Sequence, residues 1–178
     1  MTAIYYDTEF LENGRTIELI SIGIVSENGD EYYAVNRNMP LKDIAKHPWL
    51  MKHVWPTLPQ PHGDARNHGR WPRLDTNDPA VKSHAQIADE VRQFICSFPN
   101  PQLWAWYGAY DHVALAQLFG PMVNLPVGIP MWTNDIQQEC QRLGDPRMPE
   151  QPAGEHNALA DARFNLVRHQ HLMSLERS

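Results

Sequence analysis

The sequence predicts an α/β domain, a mixed β-sheet flanked by α-helices. Three observations carry that expectation. The first third alternates apolar and polar residues with turn signals between, as a strand meander does. Residues 83–98 repeat apolar positions at helical spacing. After them a strand-like run, QLWAWYG, stands between two helical segments. The order β-β-β, then α-β-α, then α gives such a layered fold.

Taken in order, Ala3-Ile4-Tyr5-Tyr6 reads as a buried strand running into Asp7 and Glu9. TIELISIGI, residues 17 to 25, alternates and then runs apolar like a central strand. Asn28-Gly29 is a strong hairpin signal, and EYYAVN supplies the third strand. LKDIAKHPWLMKHVW suggests short helical pieces broken at Pro48 and stopped by Pro56. Pro56 to Pro79 is rich in Pro, Gly, Asn, His and Arg, an irregular stretch long enough to suggest a functional loop. SHAQIADEVRQFICSF is an amphipathic helix with Ile87, Val91, Phe94 and Ile95 inward. QLWAWYG is followed by a helix, DHVALAQLF, opening at an acid. IPMWTN leads into the helix DIQQECQRLG, closed by Gly144, and a final helix covers roughly 156–174.

Composition bounds the function. The 178 residues, 42% hydrophobic and 20% charged, suit one domain across 1–178. A net charge of −6 argues against gripping nucleic acid by bulk positive charge, although a local basic strip or a bound metal could supply the attraction. Cys96 and Cys140 fit no zinc spacing and make no disulfide framework, so both read as buried free thiols. The N-terminus has no basic leader and no apolar run approaches a membrane span, so the expected compartment is the cytoplasm, with no membrane partner.

Four acids sit in awkward places. Asp7 and Glu9, two apart on a strand, point to one face and repel each other. Asp111 joins a strand to the next helix, and Asp161 lies among Ala158, Leu159, Ala160 and Ala162. Singly, each has an ordinary reading: Asp111 as a helix cap, Asp161 on a solvated face, and His156 as a surface or capping residue. Brought together, the acids need a counter-charge, and hard oxygen ligands favour magnesium or manganese. Two such ions about 4 Å apart form the arrangement used for in-line phosphoryl displacement. An imidazole nearby, titrating near neutrality, can take a proton from water.

Asp7-Thr8-Glu9 on the first strand, Tyr110-Asp111 after a mid-chain strand, and His156-Asn157-Ala158-Leu159-Ala160-Asp161 at the last helix resemble the DEDDh family of 3′-to-5′ exonucleases. The likeness spans essentially the whole chain and implies an RNase H-like sheet flanked by helices. Within that family the chain is most similar to the small bacterial exoribonucleases described as polyadenylate-specific, known from mycobacteria. The resemblance implies two Mg²⁺ or Mn²⁺ ions, one held by Asp7, Glu9 and Asp161, with Asp7 bridging to a second that Asp111 reaches directly or through water. It makes His156 the general base, sets the backbone of Thr8 and Glu9 against the terminal 3′-hydroxyl, and wedges Phe10 against the last sugar or base. Many members carry an Asn shortly before the mid-chain Asp. Here the stretch reads Trp106-Tyr107-Gly108-Ala109-Tyr110-Asp111, which makes Tyr107 the candidate for substrate positioning.

The implied activity is release of nucleoside 5′-monophosphates from single-stranded RNA 3′ ends, adenosine-rich ends among them. Two alternatives stay open at this point: a DNA proofreading or repair exonuclease, since ribose choice rests on 2′-hydroxyl contacts, and a catalytically idle nucleic-acid-binding module. HGDARNHGRWPR offers Arg66, Arg70 and Arg73 with Trp71, a composition suited either to single strands or to a solvated loop or subunit contact. Trp104, Trp106 and Trp132 read as core. The resemblance also implies a homodimer, with the Pro56–Pro79 stretch as the segment that would reach across.

Overall fold

A computed structural model of the protein describes residues 1–61 and 72–176. Three strands form the expected meander: β1 (Thr2–Glu12), β2 (Ile17–Ser26) and β3 (Glu31–Asn36). Gly29, at φ 91°, makes the β2–β3 turn, where a side chain would be strained. Two short helices follow, α1 (Leu41–Ile44) and α2 (Pro48–His53). The break between them falls at Pro48, as expected, and Pro48 begins α2, because Pro fits the first helical position and His47 Nδ1 accepts the Leu50 N–H.

The chain then adds β4 (Val81–Lys82), α3 (His84–Cys96), β5 (Pro101–Ala105), α4 (Ala109–Gln117), β6 (Asn134–Asp135), α5 (Ile136–Arg142) and α6 (Ala158–Glu176). A Ser83–Gln86 capping box starts α3. The six strands lie in the order β4-β3-β2-β1-β5-β6. β1, β2 and β3 pair antiparallel, whereas β4, β5 and β6 join parallel to their neighbours.

Strand alternation divides the core. Ile4 and Tyr6 pack with Ile87, Val91 and Ile95 of α3 and with Ala114 and Leu115 of α4. Tyr5, pointing the other way, packs with Ile136 and Cys140 of α5 and Leu172 of α6. Asp7 and Glu9 therefore lie on the α6 face of the sheet, and Thr8 faces α4. The β1–β2 register slips between Glu9 and Phe10, with Ile20 as the extra residue on β2.

Two expectations need correcting. Cys96 is exposed, because Ile95 takes the inward position at the end of α3; Cys140 is buried. Trp132 is 66% exposed rather than core. Trp104 is half-buried, stacked on His169 with ring centres 3.9 Å apart. Trp106 is half-buried beneath the Arg168 guanidinium.

Candidate active site

The β1–β5 pairing runs from Thr2 to Tyr5 and then stops, which leaves the far end of β1 open on that side. The α4 helix fills the opening. Asp111 Oδ1 accepts the Thr8 N–H at 2.8 Å and the Thr8 hydroxyl at 2.7 Å. Asp111 is thus no N-cap. Gly108 stands at the cap position and Asp111 lies in the first turn, buried.

On the opposite face, α6 delivers Asp161. Its ligand atom and those of Asp7 and Glu9 lie within 4.8 Å of one another. The helix gets this close because Gly23, the register partner of Asp7 on β2, has no side chain. Asn157 Oδ1 accepts the Ala160 N–H and so caps the first turn of α6. Gln151 Nε2 donates to Asp161 Oδ1 at 2.7 Å and fixes the carboxylate.

His156 stands just before α6 in the left-handed region, at φ 65°. That turn lets its amide donate to the Asp161 carboxylate. Its carbonyl accepts the Thr57 hydroxyl at 2.9 Å, tying the α6 entrance to the segment after α2. The imidazole lies edge-on to Trp49, with centres 4.8 Å apart, and 5.4 Å from His53. Phe10 is half-buried and nearly parallel to Tyr110, 9° between planes and 5.9 Å between centres. Tyr107 is 62% exposed and also left-handed, at φ 56°. Asp135 Oδ1 accepts its N–H at 3.2 Å while capping α5 through Gln137 N–H, which holds the strained turn.

Electrostatics follow from that crowding. Burial, then the charges of Asp111, Asp161 and Glu9, push the Asp7 carboxyl well above its ordinary range. Glu9 is pushed up to about 8, by burial first and then by Asp161 and Asp111. Burial lifts Asp111 to about 6, although the two Thr8 hydrogen bonds pull the other way. Burial raises Asp161 too, while Gln151 and the His156 amide favour its charged form. Carboxyls whose charged forms are disfavoured by burial and by one another are a set of hard oxygen donors short of positive charge. The donor set fits a divalent cation.

A family model described as the 3′-5′ exoribonuclease Rv2179c-like domain matches residues 2–173. The chain belongs to that family. Two curated relatives, the 3′-5′ exoribonucleases Rv2179c and MT2234.1 of Mycobacterium tuberculosis strains H37Rv and CDC 1551, are each 43% identical over 166 residues, 92% of this chain and 89% of theirs. The protein is accordingly a 3′-5′ exoribonuclease by kinship, a phosphodiester hydrolase. Its RNase H-like fold is shared at low identity. The zinc-bound complex of E. coli ExoI with single-stranded DNA has TM-score 0.59 at 12% identity, over 97% of this chain and 42% of that one. The Mg²⁺- and Mn²⁺-bound form of S. pombe Pop2p has TM-score 0.54 at 12% identity, over 97% and 82%.

The structure thus gathers Asp7, Glu9 and Asp161, and sets Asp111 beside them through Thr8. The amide and hydroxyl of Thr8 are engaged by Asp111, which leaves its carbonyl for any other partner. Sequence reasoning missed Gly23, Gln151, Asn165 and Arg168. Asn165 and Arg168 follow Asp161 at helical spacing on one face, a signal that was present. Gln151 carried none, lying in a Pro-rich loop. Arg66, Arg70 and Trp71 lie outside the described residues; Arg73 is exposed. Among the described residues no helix is long and apolar enough to cross a membrane.

Proposed function

We propose that this exoribonuclease is metal-dependent and removes nucleoside 5′-monophosphates one at a time from single-stranded RNA 3′ ends, adenosine-rich ends included. The observation that carries the reading is the convergence of Asp7, Glu9 and Asp161 within 4.8 Å, with Asp111 anchored on Thr8 between them. Asp7, Glu9, Asp161 and Asp111 would hold two Mg²⁺ or Mn²⁺ ions. Such ions supply Lewis-acid stabilisation of charge on the phosphodiester.

The chain's own residues do the rest. A ring nitrogen of His156 takes a proton from the attacking water, whose oxygen bonds to phosphorus as the P–O3′ bond breaks. The leaving O3′ takes a proton from solvent, so the shortened strand ends in a 3′-hydroxyl, and the nucleotide leaves as its 5′-monophosphate. Trp49 and His53 pack against the imidazole, and the left-handed turn at His156 brings its amide to the Asp161 carboxylate. Phe10, backed by Tyr110, forms an apolar ledge for the last sugar or base, and Tyr107 presents an aromatic face nearby. The backbone at Thr8 and Glu9 completes the 3′-end pocket. The family resemblance supports a homodimer.

The deciding experiment offers 5′-labelled RNA and DNA of matched sequence with magnesium. A ladder shortening from the 3′ end on RNA, abolished in Asp7→Asn, supports the reading. Equal or faster cleavage of DNA would favour the DNA exonuclease instead, and no cleavage of either would leave a binding module. Light scattering at micromolar concentration checks the dimer, and a monomeric mass rejects it.

A further inference from the structure

An acidic protein that processes a polyanion needs a cation close to its acids. Among the described residues, Arg168 is the arginine or lysine whose charge bears on both Asp7 and Asp161, lowering each. Its placement follows from helix geometry. Side chains on a helix lean toward the N-terminus, so Arg168 on α6 reaches back over the preceding turn. The guanidinium lies 4.6 Å from the centre of the Phe164 ring and 4.7 Å from that of Trp106. Nη1 donates to Asn165 Oδ1 at 2.9 Å. Asn165 is itself fully buried and donates from Nδ2 to the Tyr6 carbonyl at 3.1 Å. The group is therefore fixed to the backbone of β1, next to Asp7, through one buried amide.

Two features separate it from an ordinary surface arginine. Among the described residues it makes no ion pair at contact distance, unlike Arg142 and Arg163, which are bound to Glu139 and Glu31. It is also only half-exposed, held against two aromatic rings, so little rotamer freedom remains to be lost on binding. One nitrogen meets Asn165; the rest of the fork is a set of planar donors suited to phosphate oxygens. The guanidinium hangs over the Phe164–Asn165 turn, and Arg168 follows Asp161 by about two helical turns (~10.5 Å) along α6.

We infer that Arg168 is a phosphate-contacting residue, which takes the backbone phosphate neighbouring the one the acids address. It thereby sets where the strand lies in the cleft. The inference rests on the exoribonuclease reading of the site and deepens it by naming a substrate contact.

The test measures binding apart from cleavage. In an Asp7→Asn background, fluorescence anisotropy follows a short labelled single-stranded RNA across a salt series in magnesium buffer. Arg168→Met should weaken binding about tenfold or more, as loss of a charged hydrogen bond does. Its log–log salt slope should become shallower by about 0.7, the value for one phosphate contact on a single strand. Arg168→Lys should restore the slope but not the full affinity. Replacing single linkages by neutral methylphosphonate should reveal one position that weakens the parent and leaves Arg168→Met unchanged. An unaltered affinity and slope in a folded Arg168→Met protein would overturn the assignment and reduce Arg168 to a counter-charge for the acids. Should that variant fail to fold, Arg168→Gln takes its place in the same salt series and methylphosphonate scan, and a parental affinity, slope and profile overturn the assignment. Intact cleavage with Arg168-independent binding defeats this inference alone; absent cleavage in the parent defeats the reading beneath it.

Discussion

Gly23 lies directly beneath Leu159: a Cβ placed on the glycine would stand 2.3 Å from both the amide nitrogen and the Cα of that residue. Because Gly23 is also the strand partner of Asp7, the missing side chain lets the first turn of α6 rest on the sheet where the acids are. Gly23→Ala should therefore displace α6 and separate Asp161 from Asp7. The expected outcome is a folded protein destabilised by about 1–3 kcal/mol, as overpacking gives, with nuclease activity lost. Thermal melting and the labelled-RNA assay check it; an active Gly23→Ala protein would show that α6 can shift without opening the site.

Metal-free stability should fall as pH rises. Glu9, ordinarily near 4.5, is held up at about 8, and Asp111, ordinarily near 3.8, at about 6. Between those limits the folded protein keeps protons that the unfolded chain has released, so folding is favoured at the acid end. The advantage fades as pH rises through about 6 and then about 8. Melting in chelator should give a lower Tm at about pH 8.5 than at about pH 5.5, and excess magnesium should restore it at the higher pH. Asp7→Asn removes a repelling charge, so it should melt higher than the parent in chelator while losing activity. A Tm that rises with pH in chelator would contradict this account.

The acids were legible because repulsion makes them conspicuous: Asp7 and Glu9 on one strand face, Asp161 among alanines and leucine. The meander was legible from alternation and Asn28-Gly29, and α3 from its apolar spacing after Ser83. β4 and β6 were not, being two-residue edges that no periodicity can announce. Asp111 looked like a cap because its partner, Thr8, lies 103 positions away. Gly23 attracts no notice within TIELISIGI; its purpose shows only when α6 is laid across it. Gln151 sits in a loop whose path back to Asp161 depends on the turns at Gly154 and His156, both left-handed.

The left-handed backbone of His156 dictates how its role should be tested. Asn tolerates that conformation better than Ala, so His156→Asn removes the imidazole with less backbone strain. Both variants should lose turnover by the ~10²–10⁴ of a missing general base. His156→Ala should in addition melt lower, by up to ~1–2 kcal/mol of conformational strain. Single-turnover rates and melts separate the two effects. Near-parental turnover in His156→Asn would return the histidine to a purely structural part in the α6 turn.

Thr8 should matter through its hydroxyl. Thr8→Val keeps the strand and the amide bond to Asp111 but removes the side-chain donor. The loss of a hydrogen bond to a charged group is worth about 1.5–3 kcal/mol, and Asp111 should then titrate higher. Denaturant melts at about pH 8 should register the loss, and the acid limb of the pH–rate profile should move upward. An unmoved limb would mean that Asp111 does not govern activity.

The order in which the acids occur along the chain has a consequence for synthesis. Asp7 and Glu9 are made first, Asp111 in mid-chain, and Asp161 on α6 after every other strand and helix. A nascent chain emerging from the ribosome can pair β1, β2 and β3 early, since those contacts are local. It cannot complete the three-carboxylate cluster until α6 has left the exit tunnel and settled over Gly23. The three-carboxylate cluster is thus among the last parts of the fold that translation lets form.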